Sequence, residues 1–297
     1  MTQATCFSDH VYTFLVYFIV IGVIVLIGYP LYNIIIYSFS DPNAIYQGKV
    51  LFYPVNVTLD AYRQVITYKQ VWLGYRNSLF YTVAGTLINL IVTTLAAFPL
   101  SRKDLKGRSF VTLLFTFTMF FGGGLVPTYM LILNLGMIDT IWALLIPGAM
   151  SVWNMIIMRT FFQSSIPEEL YEATLLDGGS DWHFLSRIVL PLSKSIMAVM
   201  TLYYAVGHWN SYFSAMIYLN SDRLAPLQVF LRRILVLNEV DADVMNLVNI
   251  ADLAEIKRRM ELMKYVLIIV ASVPMLILYP FIQKYFIKGV MIGSIKG

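Results

Sequence analysis

The sequence has 297 residues, 59% of them hydrophobic and 13% charged, with a mean hydropathy of +0.71 and a net charge of +4. A soluble domain of this length carries about 45–50% apolar and about 25% charged residues, so an ordinary soluble fold is excluded and a polytopic membrane protein is expected. The basic balance would suit nucleic acid, but the basic residues cluster beside apolar runs, where membrane orientation accounts for them.

A helix rises about 1.5 Å per residue, so crossing about 30 Å of hydrocarbon takes roughly 20 apolar residues. Residues 1–10 are read as a cytoplasmic N-terminus. No apolar run precedes Cys6, the only cysteine, so neither a lipid anchor there nor a disulfide or thiolate-zinc framework is expected. Val11–Ser38 is too long for a signal segment and lacks a small-residue cleavage site, and is read as the first span. Asp41–Asn77 follows as an outer segment. Its Asn56-Val57-Thr58 matches a glycosylation acceptor only by pattern.

Ser78–Leu100 is the second span. The loop SRKDLKGR (Ser101–Arg108) has four basic residues and one acid, which marks it as cytoplasmic. Phe110–Leu133 is the third span. Its Gly122-Gly123-Gly124 lacks the GK[ST] ending of a phosphate loop; close helix packing or a local break near Pro127 is expected instead. Ile141–Phe162 is the fourth span, with Pro147 inside it. The backbone must satisfy itself in lipid, so every span is a helix, and the fold class is all-α.

Alternation places Gln163–Lys194 on the cytoplasmic side. Within it, Pro167 suits the first turn of a helix, and Glu168, Glu169 and Glu172 sit near the positive end of the dipole. Leu170, Ala173 and Leu176, with Leu175 beside them, form a partly apolar face. Asp177-Gly178-Gly179 stops the helix, because glycine readily takes the left-handed position. Ser180 or Asp181 caps a second helix running through His183, Arg187 and Ile188.

Ser195–Leu219 is the fifth span. Tyr204, His208 and Tyr212 are four apart and share one helix face, with Trp209 and Asn210 on adjoining faces. Aromatic rings and an amide inside a span suit a glycan pathway if they face a cavity; an interfacial aromatic belt with helix–helix hydrogen bonds is the alternative. Asn89 and Asn154 are weaker candidates for the same path. The outer segment Asn220–Lys264 holds an expected helix near Asp252–Leu262, with Glu255 paired to Arg259. The two outer segments are solvated caps or docking surfaces for an external partner. Tyr265–Ile282 is the sixth span, and the tail 283–297 returns to the cytoplasm. His10, His183 and His208 show no ligand spacing, so no metal site is expected, and no nucleophile–base set points to catalysis.

The polar loop carries a recognisable spacing. Glu172-Ala173-Thr174, Gly178 after three residues, then nine residues to Ile188-Val189-Leu190-Pro191 resembles the EAA signature, EAA-x3-G-x9-I-x-L-P, of permease subunits of binding-protein-dependent ABC importers. Thr174 replaces the second alanine. AFPLSRKDLKGR (Ala97–Arg108) and YPFIQKYFIKGVMIGSIKG (Tyr279–Gly297) are similar to carbohydrate-type, MalG-like permeases. FFGGGLVPTYM, AVGHWNSYFSAMIYL and PLQVFLRRIL (Phe120–Met130, Ala205–Leu219 and Pro226–Leu235) resemble the LplC- and YtcP-type members, which are linked to complex oligosaccharides.

This resemblance implies the MetI-like, type I importer permease fold over residues 11–297, with six transmembrane helices and a coupling loop at 167–191. It implies that the loop docks on an ATP-binding subunit through Glu168, Glu169, Glu172, Ala173, Asp177, Gly178, Leu190 and Pro191. It implies that the tail, with Gly289, Gly293 and Lys296, reaches the ATP-binding subunits; a basic terminus held by anionic lipid is the plain alternative. The implied partners are a second permease, two ATP-binding subunits carrying ATP and magnesium, and an extracytoplasmic solute-binding protein. The implied location is the bacterial plasma membrane. The competing reading is an ion-driven secondary sugar transporter, which calls for acids inside the spans.

Overall fold

The computed structural model describes residues 7–237, 263–280 and 283. Among them every regular element is helical. The chain runs α1 (Phe7–Ser38), α2 (Pro42–Tyr46), α3 (Asp60–Thr67), α4 (Lys69–Ser101), α5 (Arg108–Phe120), α6 (Leu125–Asn134), α7 (Trp142–Leu145), α8 (Val152–Ser165), α9 (Glu169–Leu176) and α10 (Asp181–Phe184). α10 continues through a π-turn at Leu185–Val189 to Leu192, and α11 (Lys194–Trp209), α12 (Phe213–Tyr218) and α13 (Leu227–Arg232) follow. The last described helix is α14 (Met263–Pro280).

Three of these are long and apolar enough to cross a membrane: α1 from Val11, α4 and α14. The other expected spans are not unbroken helices. The third bends by 111° between α5 and α6. Gly122–Gly124 hold no Cβ that would favour helical dihedrals, and Gly124 sits at φ +84°. The fourth stops at α7 and restarts at α8, because Pro147 has no N–H to continue the ladder. The fifth, expected over Ser195–Leu219, is broken because α11 ends at Trp209; an 82° bend between α10's extension and α11 lies just ahead of it, at Ser193. α4 begins nine residues before the expected Ser78, taking in KQVWLGYRN.

The residues divide into two compact units at Lys69, Phe230 and Ser272. In the first, Ile36, Ala44 and Val50 form a small apolar core. Ser38 Oγ lies 2.9 Å from Tyr62 Oη, and Tyr37 meets Tyr265 edge-on at 5.2 Å. Asp41 accepts the N–H groups of Asn43 and Ala44 and so caps α2. The most apolar stretch of α1 buries none of its residues within the chain.

The second unit is built on α4. Its inward face carries Gly74, Ser78, Tyr81, Gly85, Asn89 and Thr93, three or four residues apart, while Leu79, Val83, Leu87, Ile91 and Leu95 face outward. Small and polar residues inside with leucines outside invert the soluble pattern, as expected where lipid is the solvent and close helix approach is the gain. Ala97, Phe98, Met155, Met158, Phe184, Val189 and Met200 close the core between α4, α8, α10's extension and α11.

Candidate functional site

Two places in the second unit combine geometry with chemistry. The first is the polar projection at α9 and α10. α9 starts at Glu169, with Glu168 already in helical dihedrals, so Pro167 lies just outside its first turn. Gly178 takes φ +75° and its N–H donates to Leu175 O at 3.0 Å, while Gly179 N–H donates to Thr174 O at 2.8 Å. These bonds satisfy the last carbonyls of α9 as a glycine-terminated helix requires. Of the two possible caps for α10, Ser180 serves: its Oγ accepts His183 N–H at 3.3 Å.

The buried side of α9 differs from the expected one. Leu170, Tyr171 and Thr174 face the core, whereas Ala173, Leu175 and Leu176 are exposed. Leu176 is 90% exposed, which is unusual for a leucine so tightly held. Glu168, Glu169, Glu172, Asp177 and Gly178 are exposed beside it, Leu190 is half-buried and Pro191 exposed. Thr174, the departure from the EAA spacing, is buried with its methyl against Gly179; a Cβ at 179 would lie 2.6 Å from that methyl.

Sequence reading missed what holds this projection. Arg102 lays its guanidinium 3.2 Å from the centroid of the Tyr171 ring, and Tyr171 meets Phe184 edge-on at 5.1 Å. Tyr171 Oη donates to Asp181 Oδ1 at 2.9 Å. That bond, with some burial, pushes the Tyr171 phenol above its ordinary range. Lys103 pairs with Glu168 in the open.

The second place is a cavity of about 390 Å3. Tyr203, Tyr204, Gly207 and His208 of α11 line one side, Asn89 of α4 and the Pro147–Gly148 gap another, and Ser211, Ser214 and Tyr218 complete it. Asn89 Nδ2 donates to Gly148 O at 2.5 Å, taking up a carbonyl that the helix break leaves unpaired. That leaves Asn89 Oδ1 to accept from His208 Nε2 at 2.6 Å. The His208 ring lies directly on Gly85, where any side chain would overlap it. Tyr204 Oη is 2.6 Å from Thr93 Oγ1 and accepts Ser151 N–H at 3.3 Å.

Of the residues expected on a pathway, then, Tyr204, His208 and the weaker candidate Asn89 lie on the cavity. Trp209 is buried against Tyr75 at 5.5 Å. Asn210 and Tyr212 are exposed, and Tyr212 lies past the end of α11, so it does not share a helix face with His208. Asn154 is buried, its N–H donated to Ser151 Oγ at the start of α8. Among the described residues no cluster could hold a metal ion. Gly289, Gly293, Lys296 and the expected helix near Asp252–Leu262 lie outside the described residues.

The N-terminal end of α4 carries a clamp that the sequence did not announce. Asn77 Nδ2 donates to Arg223 O at 2.8 Å and Ala225 O at 3.0 Å, and Tyr81 Oη to Leu224 O at 2.9 Å. Ser78 Oγ accepts Leu227 N–H at 2.9 Å, and a Cβ at Gly74 would come to 3.0 Å from Leu227 Cα.

The chain is 37% identical to the polygalacturonan/rhamnogalacturonan transport system permease protein YtcP of Bacillus subtilis (strain 168), over 98% of each chain. It is 39% identical to protein LplC of the same organism, over 90% of this chain and 89% of that one. A crystal structure of a bacterial ABC transporter involved in the import of the acidic polysaccharide alginate contains a chain that superposes with a TM-score of 0.87. That chain is 33% identical, and the match covers 96% of this chain and 100% of that one.

This chain belongs to the carbohydrate-type ABC importer permeases.

No family model matches it. The relatives are transport permeases. The permease is a multi-pass membrane protein, and the ion-driven alternative falls away.

Proposed function

We propose that this permease is one half of a heterodimeric importer that takes up an oligosaccharide or polysaccharide, with α9 as the element that answers the ATP-binding subunits. The observation that carries this is α9 itself: a helix fixed at both ends, presenting exposed Leu175 and Leu176 and, counting its flanking Glu168 and Asp177, four exposed acids away from the core. An apolar knob ringed by carboxylates suits a partner cleft with an apolar floor and basic rim.

The complete assembly has a second permease, two ATP-binding subunits that hold ATP and magnesium, and an extracytoplasmic binding protein. This chain contributes no catalytic group. Six spans, as the sequence predicts, would keep both termini on one side, and the basic loop Ser101–Arg108 supports the cytoplasm of a bacterial plasma membrane as that side. The tail with Gly289, Gly293 and Lys296 runs toward the ATP-binding subunits. The names of the relatives support a complex glycan as cargo. The cavity suits one: tyrosine rings stack on the apolar faces of a sugar, and Asn89, His208, Ser211 and Ser214 supply hydrogen-bond partners. Nucleotide shifts the path between inward- and outward-facing states only through its differential affinity for them.

Gly178→Pro tests the reading. Proline cannot adopt φ +75°, so the exit from α9 must rearrange. Expected is loss of transport-linked ATP hydrolysis in an importer that still co-purifies as a complex. Unchanged hydrolysis and uptake would refute α9 as the coupling element.

A further inference from the structure

We propose that Arg102 is the positioning residue that joins the coupling helix to the transmembrane body, so that displacement of α9 reaches the cavity along α4. The inference rests on the reading of α9 just given and adds the route by which α9 acts.

The geometry is specific. Arg102 sits on the loop after α4, yet its side chain is only 14% exposed. It lies flat on Tyr171 at 3.2 Å from the ring centroid and 5.8 Å from that of Phe184. Asp104 Oδ1 accepts its Nε at 3.1 Å, which fixes the plane of the guanidinium. A planar cation so held stacks on an aromatic face in a way a lysine cannot reproduce.

The base of this side chain is also fixed. The carbonyls at the end of α4 are taken one by one: Leu100 O by Arg159 Nε at 2.8 Å, Ser101 O by Gln163 Nε2 at 3.4 Å and Arg102 O by Arg108 Nη1 at 3.1 Å. Cationic donors at a helix C-terminus favour its dipole. Beyond the stack, Tyr171 is bonded to Asp181, and Phe184 packs on Phe98 of α4 at 6.1 Å. Arg102 and Phe98 therefore grip α9 and α10 from one end of a helix whose middle carries Asn89 on the cavity, with Gly85 and Thr93 against the lining residues His208 and Tyr204. Lys103–Glu168, exposed on both sides, adds little to this grip.

The test uses the assembled importer in lipid nanodiscs with Cys6→Ser and a reporter, Ser211→Cys, on the cavity wall. Two quantities are measured with and without vanadate-trapped MgADP: hydrogen exchange over residues 169–176, and the rate at which a water-soluble maleimide labels residue 211. In the parent, trapping is expected to slow exchange on α9 and to change labelling by about fivefold or more. With Arg102→Ala, α9 still responds, but the change in labelling shrinks by at least about threefold, and Arg102→Lys lies between the two. Undiminished labelling change in Arg102→Ala, with α9 still responding, overturns the proposal and leaves α9 as a docking element. Absence of any response of α9 in the parent overturns the docking reading, and the route with it. Co-purification of the ATP-binding subunits shows that each variant is assembled.

Discussion

Gly85 is a glycine because His208 occupies the space its side chain would fill. Gly85→Ala must push the ring away and break the contact with Asn89, and overpacking of this kind costs about 1–3 kcal/mol. We expect a lower melting temperature for the detergent-solubilised complex and reduced uptake; an unchanged melting curve would contradict the packing. Asp139 tells a second residue-scale story. It stands at φ +58°, and its carboxylate accepts the N–H groups of Asn220 and Ser221 at 2.9 Å each. These bonds, that to Ser221 first, hold its pKa below the ordinary carboxylate value. A depressed carboxylate contributes stability that is present above its unfolded pKa of about 4 and is lost as pH falls through the folded value. Asp139→Asn tolerates the left-handed backbone and so isolates the charge. The stability gap between the parent and Asp139→Asn is expected to be full at neutral pH and to close below about pH 4, read from melting temperatures across pH.

At the scale of the element, α9 shows how a local pattern and a tertiary contact divide the work. Its acidic start, its glycine stop and the Ser180 cap are all within a few residues of one another, and so are legible from sequence. Which side faces the core is not, because Tyr171 is covered by Arg102 and Phe184 and Thr174 by Gly179, all outside α9. The Thr174–Gly179 contact gives a sharp prediction. Gly179→Ala alone destabilises the turn, since the new methyl meets Thr174 Cγ2 and also lies 3.0 Å from Thr174 O. Thr174→Ala, which restores the alanine of the EAA spacing, removes the first clash but not the second. The double variant is therefore expected to be more stable than Gly179→Ala alone, the coupling falling within about 0.5–3 kcal/mol. Strictly additive melting shifts would refute the contact. The broken spans make the same point from the other direction. The Gly122–Gly124 run leaves a break open and Pro147 stands inside a span expected to be unbroken, and only Asn89, from another helix, shows how the freed Gly148 carbonyl is satisfied.

At the scale of the whole molecule, orientation is the outstanding expectation, and single cysteines test it directly. Tyr53 is 78% exposed in the outer segment, and the Lys103 side chain is 72% exposed in the basic loop. In a Cys6→Ser background, Tyr53→Cys is expected to react with a membrane-impermeant maleimide in intact cells. Lys103→Cys is expected to react only after permeabilisation. The reverse pattern would invert the topology.

Apolar run lengths, the basic loop and the spacing from Glu172 to Pro191 are properties of neighbouring residues, and by themselves they determined an all-helical membrane protein and its family. Arg102 on Tyr171, His208 on Gly85, and Asn77, Ser78 and Tyr81 on the 223–227 backbone join residues far apart in the chain. No periodicity records such pairs, because each partner satisfies its own helix equally well wherever the other lies. Only the tertiary structure decided them: burying a polar group or a bare glycine is favourable solely where another element brings its complement.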